Sequence, residues 1–334
     1  MMVRLDAVVT EAELSVVAPI FNESQNLRPL LDRLVPALES CARSFEIIFV
    51  DDGSTDETLQ FLRKAHDLDP RIRAISFSRN FGKEIAIAAG LDHASGAAAI
   101  IMDADLQHPP EMIETFVEKW REGYKIVYGQ RVDRTSDSPL RRLLAPRFYQ
   151  LFASLSEMRL PEGAGDFRLL DAKAVAALRL MREHARFSKG LYAWIGFKSI
   201  GVPFDVAPRV SGQSKFSYRK LTHFALDGLM SFTTVPLKIW TYVGLATSML
   251  ALALASFYVI RTLIFGVDVP GYASLIVSIT FFAGIQLLSL GILGEYIGRI
   301  FAEVKRRPLY LIEERLGLPP LVHEEQSLPR HDWA

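Results

Sequence analysis

Short apolar runs and longer stretches with apolar residues at helical spacing alternate in the first part of the chain. Near-continuous apolar runs of this length are typical of strands buried in a parallel sheet. Four such runs predict strands, at Leu14–Ile20, Phe45–Val50, Ile72–Phe77 and Ala97–Met102. A fifth, shorter strand is predicted at Ile126–Tyr128. Strands that alternate with helices predict an α/β domain with a mostly parallel sheet.

The predicted helices lie between these strands. The first has a one-sided apolar face, formed by Leu27, Leu30, Leu31, Leu34, Val35 and Leu38. Pro36 lies within this stretch and predicts an early end of the helix, because proline lacks a backbone N–H. Ser54 and Glu57 resemble a capping box, which predicts that Ser54 opens the second helix. A third helix is predicted at Glu84–His93.

The last third of the chain differs from the first part, because it contains two long uncharged runs. Ile239–Ile260 has 22 residues and Val269–Gly294 has 26, and neither contains a charge. About 20 helical residues cross the hydrocarbon core of a bilayer, so each run is long enough to span it. We predict a transmembrane hairpin with spans at about 236–262 and 269–298. The alternative is a pair of core helices in a soluble protein.

The flanking charges predict the orientation of this hairpin. Lys238 precedes the first run, and a basic group follows the second. The members of that group are Arg299, Lys305, Arg306 and Arg307. Only Arg261 lies between the runs, so the positive-inside rule places both ends of the hairpin in the cytoplasm. We therefore expect a cytoplasmic domain at 1–231, membrane helices within 235–300 and a cytoplasmic tail at 301–334.

Composition excludes some classes of partner and site. The chain has 38 basic and 38 acidic residues, so it lacks the basic excess that is typical of nucleic-acid-binding proteins. Cys41 is the only cysteine in the sequence. The chain therefore contains neither an intramolecular disulfide nor a cysteine cluster for zinc.

Polar residues follow each of the four predicted strands at the point where the strand ends. The four segments are Pro19–Glu23, Asp51–Ser54, Ser78–Lys83 and Asp103–Asp105. Any one of them could be an ordinary turn or helix cap. Ligands of parallel sheets lie beyond the carboxyl ends of the strands, so four such segments together predict a binding site there.

Asp103 and Asp105 suggest what the site holds. Residues two apart on an extended segment point the same way, and neighbouring carboxylates raise each other's pKa unless a cation joins them. Hard oxygen ligands suit Mg²⁺ or Mn²⁺, which one or two carboxylates hold together with substrate phosphates. The sequence has no Walker-type glycine loop, so the phosphates are not expected to bind in the manner of P-loop proteins.

The ordered motifs "PIFNE", "DDGSTDET", "RNFGKE", "DADLQHPPE", "GQR", "GDFRLLD" and "GQSKFS" carry a resemblance. With the two apolar runs, they resemble family 2 glycosyltransferases that load a sugar onto a polyprenyl phosphate. This group includes dolichol-phosphate mannose synthases and bacterial undecaprenyl-phosphate glycosyltransferases. The resemblance extends from about Leu14 to Pro308 and implies a GT-A fold, which is Rossmann-like. One departure is Ala97-Ala98, where many relatives carry an acidic residue.

The resemblance implies roles for individual residues. The implied donor-binding residues are Pro19, Asn22, Glu23, Asp51, Asp52, Lys83, Asp103 and Lys215. The implied ligands of Mg²⁺ or Mn²⁺ are Asp103, Asp105 and Gln107. Asp166 is the implied catalytic residue, facing the anomeric carbon. The residues expected to bind the acceptor or its phosphate are Arg131, Arg134, Arg142 and Arg168.

Two further stretches are expected to rest on the membrane surface, near 141–156 and 219–232. Arginines over an apolar face favour this interpretation of the first stretch, although an ordinary surface helix has the same pattern. Small residues on the second span, among them Gly284, Gly291 and Gly294, permit close helix contact. Relatives assemble as tetramers, which makes a homo-oligomer the expectation here.

The predicted function is inverting transfer of a hexose from a nucleotide-diphosphate sugar to a polyprenyl phosphate at the cytoplasmic face of a bacterial inner membrane. UDP-glucose is the favoured donor, because the two-span arrangement resembles the bacterial glucosyltransferase branch. GDP-mannose and a modified amino sugar such as formamido-arabinose are the alternatives. A processive polysaccharide synthase is a rival class, but it would carry a Gln-x-x-Arg-Trp motif and more spans, and the sequence shows neither. A membrane-anchored scaffold that binds sugar nucleotides is the non-enzyme alternative.

Overall fold

The computed structural model describes residues 12–131, 163–184, 186–204, 235–265 and 271–320. The chain divides into two compact units. One contains residues 1–221 and 308–334, and the other contains residues 222–307. Several predictions fall outside the described residues: the interfacial stretches near 141–156 and 219–232, and the side chains of Arg134, Arg142 and Lys215.

The first unit is built on an eight-stranded sheet. Its strands are β1 (Ala12–Ile20), β2 (Phe45–Asp51), β3 (Ile72–Phe77), β4 (Gly96–Ile101), β5 (Ile126–Arg131), β6 (Ala164–Asp171), β7 (Ser199–Phe204) and β8 (Ile312–Leu316). The order across the sheet is β7-β5-β6-β4-β1-β2-β3-β8. Strands β1 to β4 pair in parallel, as do β5 and β7, whereas β6 and β8 run antiparallel to their neighbours. The predicted α/β fold with a mostly parallel sheet is confirmed.

The described residues of this unit form six helices between the strands. They are α1 (Ser24–Cys41), α2 (Thr58–Leu68), α3 (Lys83–His93), α4 (Met112–Arg121), α5 (Ala172–Arg179) and α6 (Ser188–Trp194). Helix α1 continues through Pro36, so the prediction of an early end was wrong. Leu34 and Leu38 are fully buried on either side of Pro36, which is itself exposed. Their burial outweighs the loss of one backbone hydrogen bond.

The start of α2 also differs from the prediction. The helix begins at Thr58, whose N–H donates to Asp56 Oδ1 at 3.0 Å. Ser54 does not cap this helix; its Oγ accepts a hydrogen bond from the N–H of Asn22 at 2.8 Å. The capping-box interpretation was therefore wrong, because Ser54 ties two turns together.

The sequence pattern did not predict β8. Seven residues separate this short strand from the last helix of the chain, which ends at Val304. Strand β8 pairs antiparallel with β3, so that Ala74 is opposite Leu316 and Phe77 is opposite Ile312. A charged segment such as Ile312–Leu316 is suited to the edge of a sheet, where charges discourage pairing with other chains. The chain after the last helix therefore belongs to the sheet of the first unit.

The second unit contains helices α7 (Val235–Phe265) and α8 (Tyr272–Val304), which contact each other. Among the described residues, the stretch Val277–Val304 is the one that is long and apolar enough to cross a membrane. A shorter apolar stretch covers Ile239–Leu254. One span is thus supported by length and composition, and the two-span hairpin stays a prediction.

A buried carboxylate joins the amino ends of the central strands. Glu46 of β2 accepts hydrogen bonds from Ser15 Oγ, from Ser95 N and Oγ, and from the guanidinium of Arg73 at 2.7 Å. The Glu46 side chain is 3% exposed. A buried charge is tolerated when it is paired and fully hydrogen-bonded, as this one is. Glu46 therefore fixes β1, β2, β3 and the turn before β4 to one another.

We expect Glu46→Ala to lower the free energy of unfolding of the first unit by about 3–5 kcal/mol, because it leaves Arg73 and two serines without their partner. Chemical denaturation of the detergent-solubilised protein measures this loss. Glu39→Ala is the matched control. Glu39 pairs with Arg71 while both side chains are about half exposed, so its removal should cost less than about 1 kcal/mol. Equal losses in the two variants would contradict the assigned role of Glu46.

Candidate active site

The turns after β1 and β2 are joined by side-chain hydrogen bonds. Asn22 donates from its N–H to Ser54 Oγ and accepts from the N–H of Thr55 at 2.8 Å through its Oδ1. Asn22 has a φ of 56°, a left-handed conformation that asparagine adopts more readily than most residues. Glu23 accepts from Asn26 at 2.6 Å, and Pro19 lies in β1 opposite Val50. Three of the predicted donor-binding residues are therefore near one another at the predicted edge.

Asp51 and Asp52 follow the buried strand β2 and hold the next turns. Asp51 is buried and accepts from the N–H of Ser54 at 3.0 Å and from Ser76 Oγ at 2.8 Å. Asp52 accepts from the backbone N–H groups of Phe81, at 2.6 Å, and Gly82. Burial raises the pKa of Asp52 above its ordinary value, although these two amides oppose the shift. Asp52 thus fixes the loop between β3 and α3.

Gly53 allows that loop to come close. Its φ is 72°, and a Cβ at this position would lie 2.6 Å from the carbonyl carbon of Arg79. A side chain would therefore be strained by the backbone conformation and would also collide with the neighbouring loop. The glycine of the "DDGS" motif is required for the turn after β2 to pack on the loop after β3.

The loop after β4 presents oxygen atoms on one side. Asp103, Asp105 and Gln107 are partly exposed, whereas Ala104 and Leu106 between them are buried. Leu106 has a φ of 62°, a strained conformation for a branched apolar residue. The N–H of Gln107 donates to Asp105 Oδ1 at 3.1 Å. Partly exposed polar residues therefore alternate with buried apolar ones along this loop, and the common direction of the two acids stays a prediction.

This donor set suits a divalent cation that substrate phosphates also bind. It offers two carboxylates and one amide oxygen, all hard ligands on a partly open surface. No group of three or more His, Cys, Asp or Glu side chains suited to a metal occurs among the described residues. Carboxylate and amide oxygens of this kind fit Mg²⁺ or Mn²⁺.

Lys83 joins the loop after β4 to strand β6. Its Nζ lies 2.6 Å from Asp103 Oδ1 and 2.8 Å from Asp166 Oδ2. The register explains the meeting: Ile101 pairs with Arg168, and continuing this antiparallel register by two residues places Asp103 opposite Asp166. Partial loss of solvent lowers the pKa of Lys83, but the two carboxylates raise it by more, so the ammonium stays charged. The structure thus brings together three predicted site residues from α3, the loop after β4 and β6.

Asp166 lies among cations. Burial alone would raise its pKa, but Lys83, Lys189 and Arg168 hold the pKa of Asp166 well below its ordinary value. Its carboxyl group is therefore ionised across the physiological range. A carboxylate with a lowered pKa is a weak proton acceptor and a strong electrostatic partner.

Sequence reasoning missed His108 and Glu84, although both lie in quoted motifs. His108 Nδ1 accepts the N–H of Asp103 at 3.0 Å, and its ring stacks on Phe167 at 4.9 Å between centroids. Burial lowers the pKa of His108, which keeps the ring neutral so that Nδ1 can accept this bond. Glu84 accepts hydrogen bonds from the N–H and Oγ of Ser188, and burial raises its pKa.

Helix α6 was also missed, and no motif in the sequence marks it. Besides the contact of Ser188 with Glu84, the ring of Tyr192 lies 3.8 Å from the guanidinium carbon of Arg168. Arg168 is buried and donates to the carbonyl of Gly165 at 2.6 Å. Tyr192 and Gly165 therefore hold the cation predicted to meet phosphates.

Arg131, another residue expected to bind the acceptor phosphate, is the last residue of β5, which lies next to β6.

Comparison with known proteins agrees with these features. Residues 15–179 match the family described as Glycosyl transferase family 2. An uncharacterized glycosyltransferase of Synechocystis sp. is 49% identical over 94% of this chain and 98% of its own length. The SfII prophage-derived bactoprenol glucosyl transferase of Shigella flexneri is 43% identical over 90% of this chain and 98% of its own. A prophage bactoprenol glucosyl transferase homolog of Escherichia coli has the same identity and coverage.

The family match covers residues 15–179, and the matches to the three relatives extend over 90% or more of the chain. They confirm the resemblance carried by the ordered motifs, and the sheet described above is the GT-A-like α/β fold that this resemblance implied. The chain belongs to glycosyl transferase family 2.

Proposed function

We propose that the protein transfers glucose from UDP-glucose to a polyprenyl phosphate, with inversion at the anomeric carbon, at the cytoplasmic face of a membrane. The observation that carries the proposal is the meeting of Lys83, Asp103 and Asp166 beside the oxygen-lined loop after β4. The names of the Shigella and Escherichia relatives support a bactoprenol acceptor and glucose as the sugar. GDP-mannose and a modified amino sugar remain the alternative donors.

The donor end of the site follows from the turns after β1, β2 and β3. Asn22, Asp51 and Asp52 fix these turns around the pocket proposed for the nucleoside. Asp103, Asp105 and Gln107 would hold Mg²⁺ or Mn²⁺, which offsets the negative charge that develops on the departing nucleotide diphosphate. Lys83 adds a fixed positive charge beside them.

At the acceptor end of the site, positive charge is more important for the reaction than a general base. A phosphate monoester has a second pKa of about 6, so at neutral pH it is mostly a dianion and is already nucleophilic. Its approach to a diphosphate is opposed by repulsion, which Arg168, Lys83 and Lys189 reduce. We propose that Asp166 orients these cations and stabilises positive charge at the anomeric carbon, rather than removing a proton.

Chain connectivity supports the two-span hairpin. Strand β8 pairs with β3, so the segments before and after the helical unit both belong to one folded unit. A folded unit lies on one side of a membrane, so the chain between these segments crosses the membrane an even number of times. If the stretch Val277–Val304 spans, then α7 spans as well. The basic residues that flank the helices support a cytoplasmic location for the folded unit.

The first test is transfer to undecaprenyl phosphate by the purified protein, with UDP-glucose, GDP-mannose and a UDP-linked amino sugar offered separately. We expect transfer from UDP-glucose with Mn²⁺ or Mg²⁺ and its loss with chelator. Asp105→Asn should raise the Mn²⁺ concentration for half-maximal rate more than about 10-fold, since it replaces a charged carboxylate ligand by a neutral amide oxygen. The matched control is Glu111→Gln, because Glu111 is near in the sequence but pairs with Arg33 at the surface. This variant should leave the Mn²⁺ concentration for half-maximal rate unchanged.

Nucleotide binding without transfer from any donor would favour the scaffold alternative. Transfer from GDP-mannose alone would replace the proposed donor and keep the reaction class. Transfer that persists in chelator would contradict the role proposed for Asp105 and Gln107.

The pH dependence distinguishes a base from an electrostatic role for Asp166. We expect kcat/KM to fall as the pH drops through about 6, because the acceptor phosphate gains a proton there. The lowered pKa of Asp166 keeps it ionised over this range. Asp166→Asn should therefore lower the rate and leave unchanged the pH at which kcat/KM falls on the acid side of the profile, here called the acid limb. Rate profiles of both enzymes between about pH 5 and about pH 9 measure this, and an acid limb absent from the variant would identify Asp166 as the base.

Cysteine labelling tests the hairpin. Cys41 is buried and is the only native cysteine, so Cys41→Ala provides a clean background. Asp268→Cys, which lies between the two helices in the sequence, should react with a membrane-impermeant maleimide in intact spheroplasts. Asp67→Cys, exposed on α2, should react only after permeabilisation. Labelling of both positions only after permeabilisation would contradict the two-span topology.

A further inference from the structure

Residues 308–318, here called the C-terminal clasp, close one edge of the sheet beside the donor side of the site. Besides the β3–β8 pairing, the N–H of Ser78 donates to the carbonyl of Leu311 at 3.1 Å. Arg63 forms a two-point ion pair with Glu314 at the far part of the clasp. The clasp follows directly on α8, the helix that is long and apolar enough to cross a membrane.

Tyr310 is the buried anchor of the clasp. Its ring stacks on Phe77 of β3, with centroids 5.2 Å apart and planes 18° from parallel. Its hydroxyl donates to Asp92 of α3 at 2.9 Å, and Arg182 donates to the same carboxylate at 2.6 Å. Tyr310 therefore touches both elements that flank the loop between β3 and α3.

The contacts continue from Tyr310 into the site. The ring of Phe77 meets the edge of Phe81 at 5.6 Å, and the guanidinium of Arg79 lies over the Phe81 ring at 4.1 Å. The N–H groups of Phe81 and Gly82 donate to Asp52. The next residue is Lys83, whose ammonium joins Asp103 and Asp166. A continuous set of packed rings and hydrogen bonds thus links the clasp to the reacting centre.

Burial makes this link stiff. Phe77 and Tyr310 are both buried, so neither ring can move without opening the packing around the other. Phe81 is only partly buried, so the position of its loop depends on a few contacts: the hydrogen bonds to Asp52, the packing of Gly53 on the loop, and the ring of Phe77. The ring of Phe77, backed by Tyr310, is the apolar surface on which Phe81 rests.

We propose that Tyr310 is a positioning residue for the donor site: by backing Phe77, it holds Phe81 and Gly82 on Asp52 and so places Lys83. This inference rests on the proposed function for its catalytic consequence. It makes the donor site depend on a segment that the chain reaches only after its membrane helices. Without the clasp, the loop after β3 opens more often and the sugar nucleotide binds more weakly.

Hydrogen exchange provides a test that needs no substrate. In the full-length protein, Tyr310→Leu should speed amide exchange at Phe81 and Gly82 about 10-fold, the scale of a lost aromatic pair. Tyr310→Phe keeps the ring stack and should leave exchange there within about 2-fold of the native rate. Glu314→Gln breaks the pair with Arg63 elsewhere on the clasp and is the matched control, with no change expected at Phe81 and Gly82.

Kinetics then separate positioning from general stability. With UDP-glucose as the probe, Tyr310→Leu should raise the donor KM about 10-fold and leave kcat within about 2-fold, while Tyr310→Phe restores the native KM. If the leucine variant does not fold, Tyr310→Met fills more of the buried volume and undergoes the same two measurements.

Unchanged exchange at Phe81 and Gly82 in the leucine or methionine variant would overturn the proposal, whatever the enzyme does. Faster exchange spread evenly over the sheet, with an unchanged KM, would also overturn it, because Tyr310 would then serve stability alone. Absence of transfer by the native protein would overturn the proposed function and leave the exchange result to decide the role of Tyr310.

Discussion

The ammonium group of Lys83, shared between Asp103 and Asp166, is the contact on which the geometry of the site depends. Strands β4 and β6 pair antiparallel as far as Ile101 and Arg168, and Asp103 and Asp166 each lie two residues from this pair. Both carboxylates contact the same ammonium group, and without it they would repel each other. Helix α3 supplies that cation from its first residue, so the sheet, the helix and the loop after β4 have one mutual arrangement. Neighbouring contacts support this arrangement. His108 accepts a hydrogen bond from the N–H of Asp103, and Asp52 fixes the loop before α3.

Buried carboxylates hold the sheet at both ends, with different consequences. At the amino end, Glu46 is enclosed by protein donors, so its role is to fix strands. At the carboxyl end, Asp51 and Asp52 also accept bonds from the protein, but the groups they fix are turns that border the open site. In the loop after β4, Asp103 and Asp105 are partly exposed at the same edge. The same residue type thus builds the frame at one edge of the sheet and the chemistry at the other.

The sequence predicted those parts of the fold that rest on local pattern. Four apolar runs became β1 to β4, and the polar segments that follow them meet at one edge because parallel strands end together. It failed where a distant partner decides the outcome. Strand β8 is polar and short, and it forms because β3, far earlier in the chain, offers a free edge. Helix α1 survives Pro36 through burial on its opposite face. The roles of Ser188 and Tyr192 depend on contacts with Glu84 and Arg168 that no local spacing reveals.

The position of β8 in the chain has a consequence for how the protein is made. A ribosome releases β1 to β7 first, then both apolar helices, and β8 only afterwards. Until that moment β3 is an unpaired edge strand, with backbone groups open to other chains. The first unit therefore completes its sheet only after both apolar helices have been synthesised. Strand β8 is the last element of the sheet to be made, and its pairing closes the exposed edge of β3.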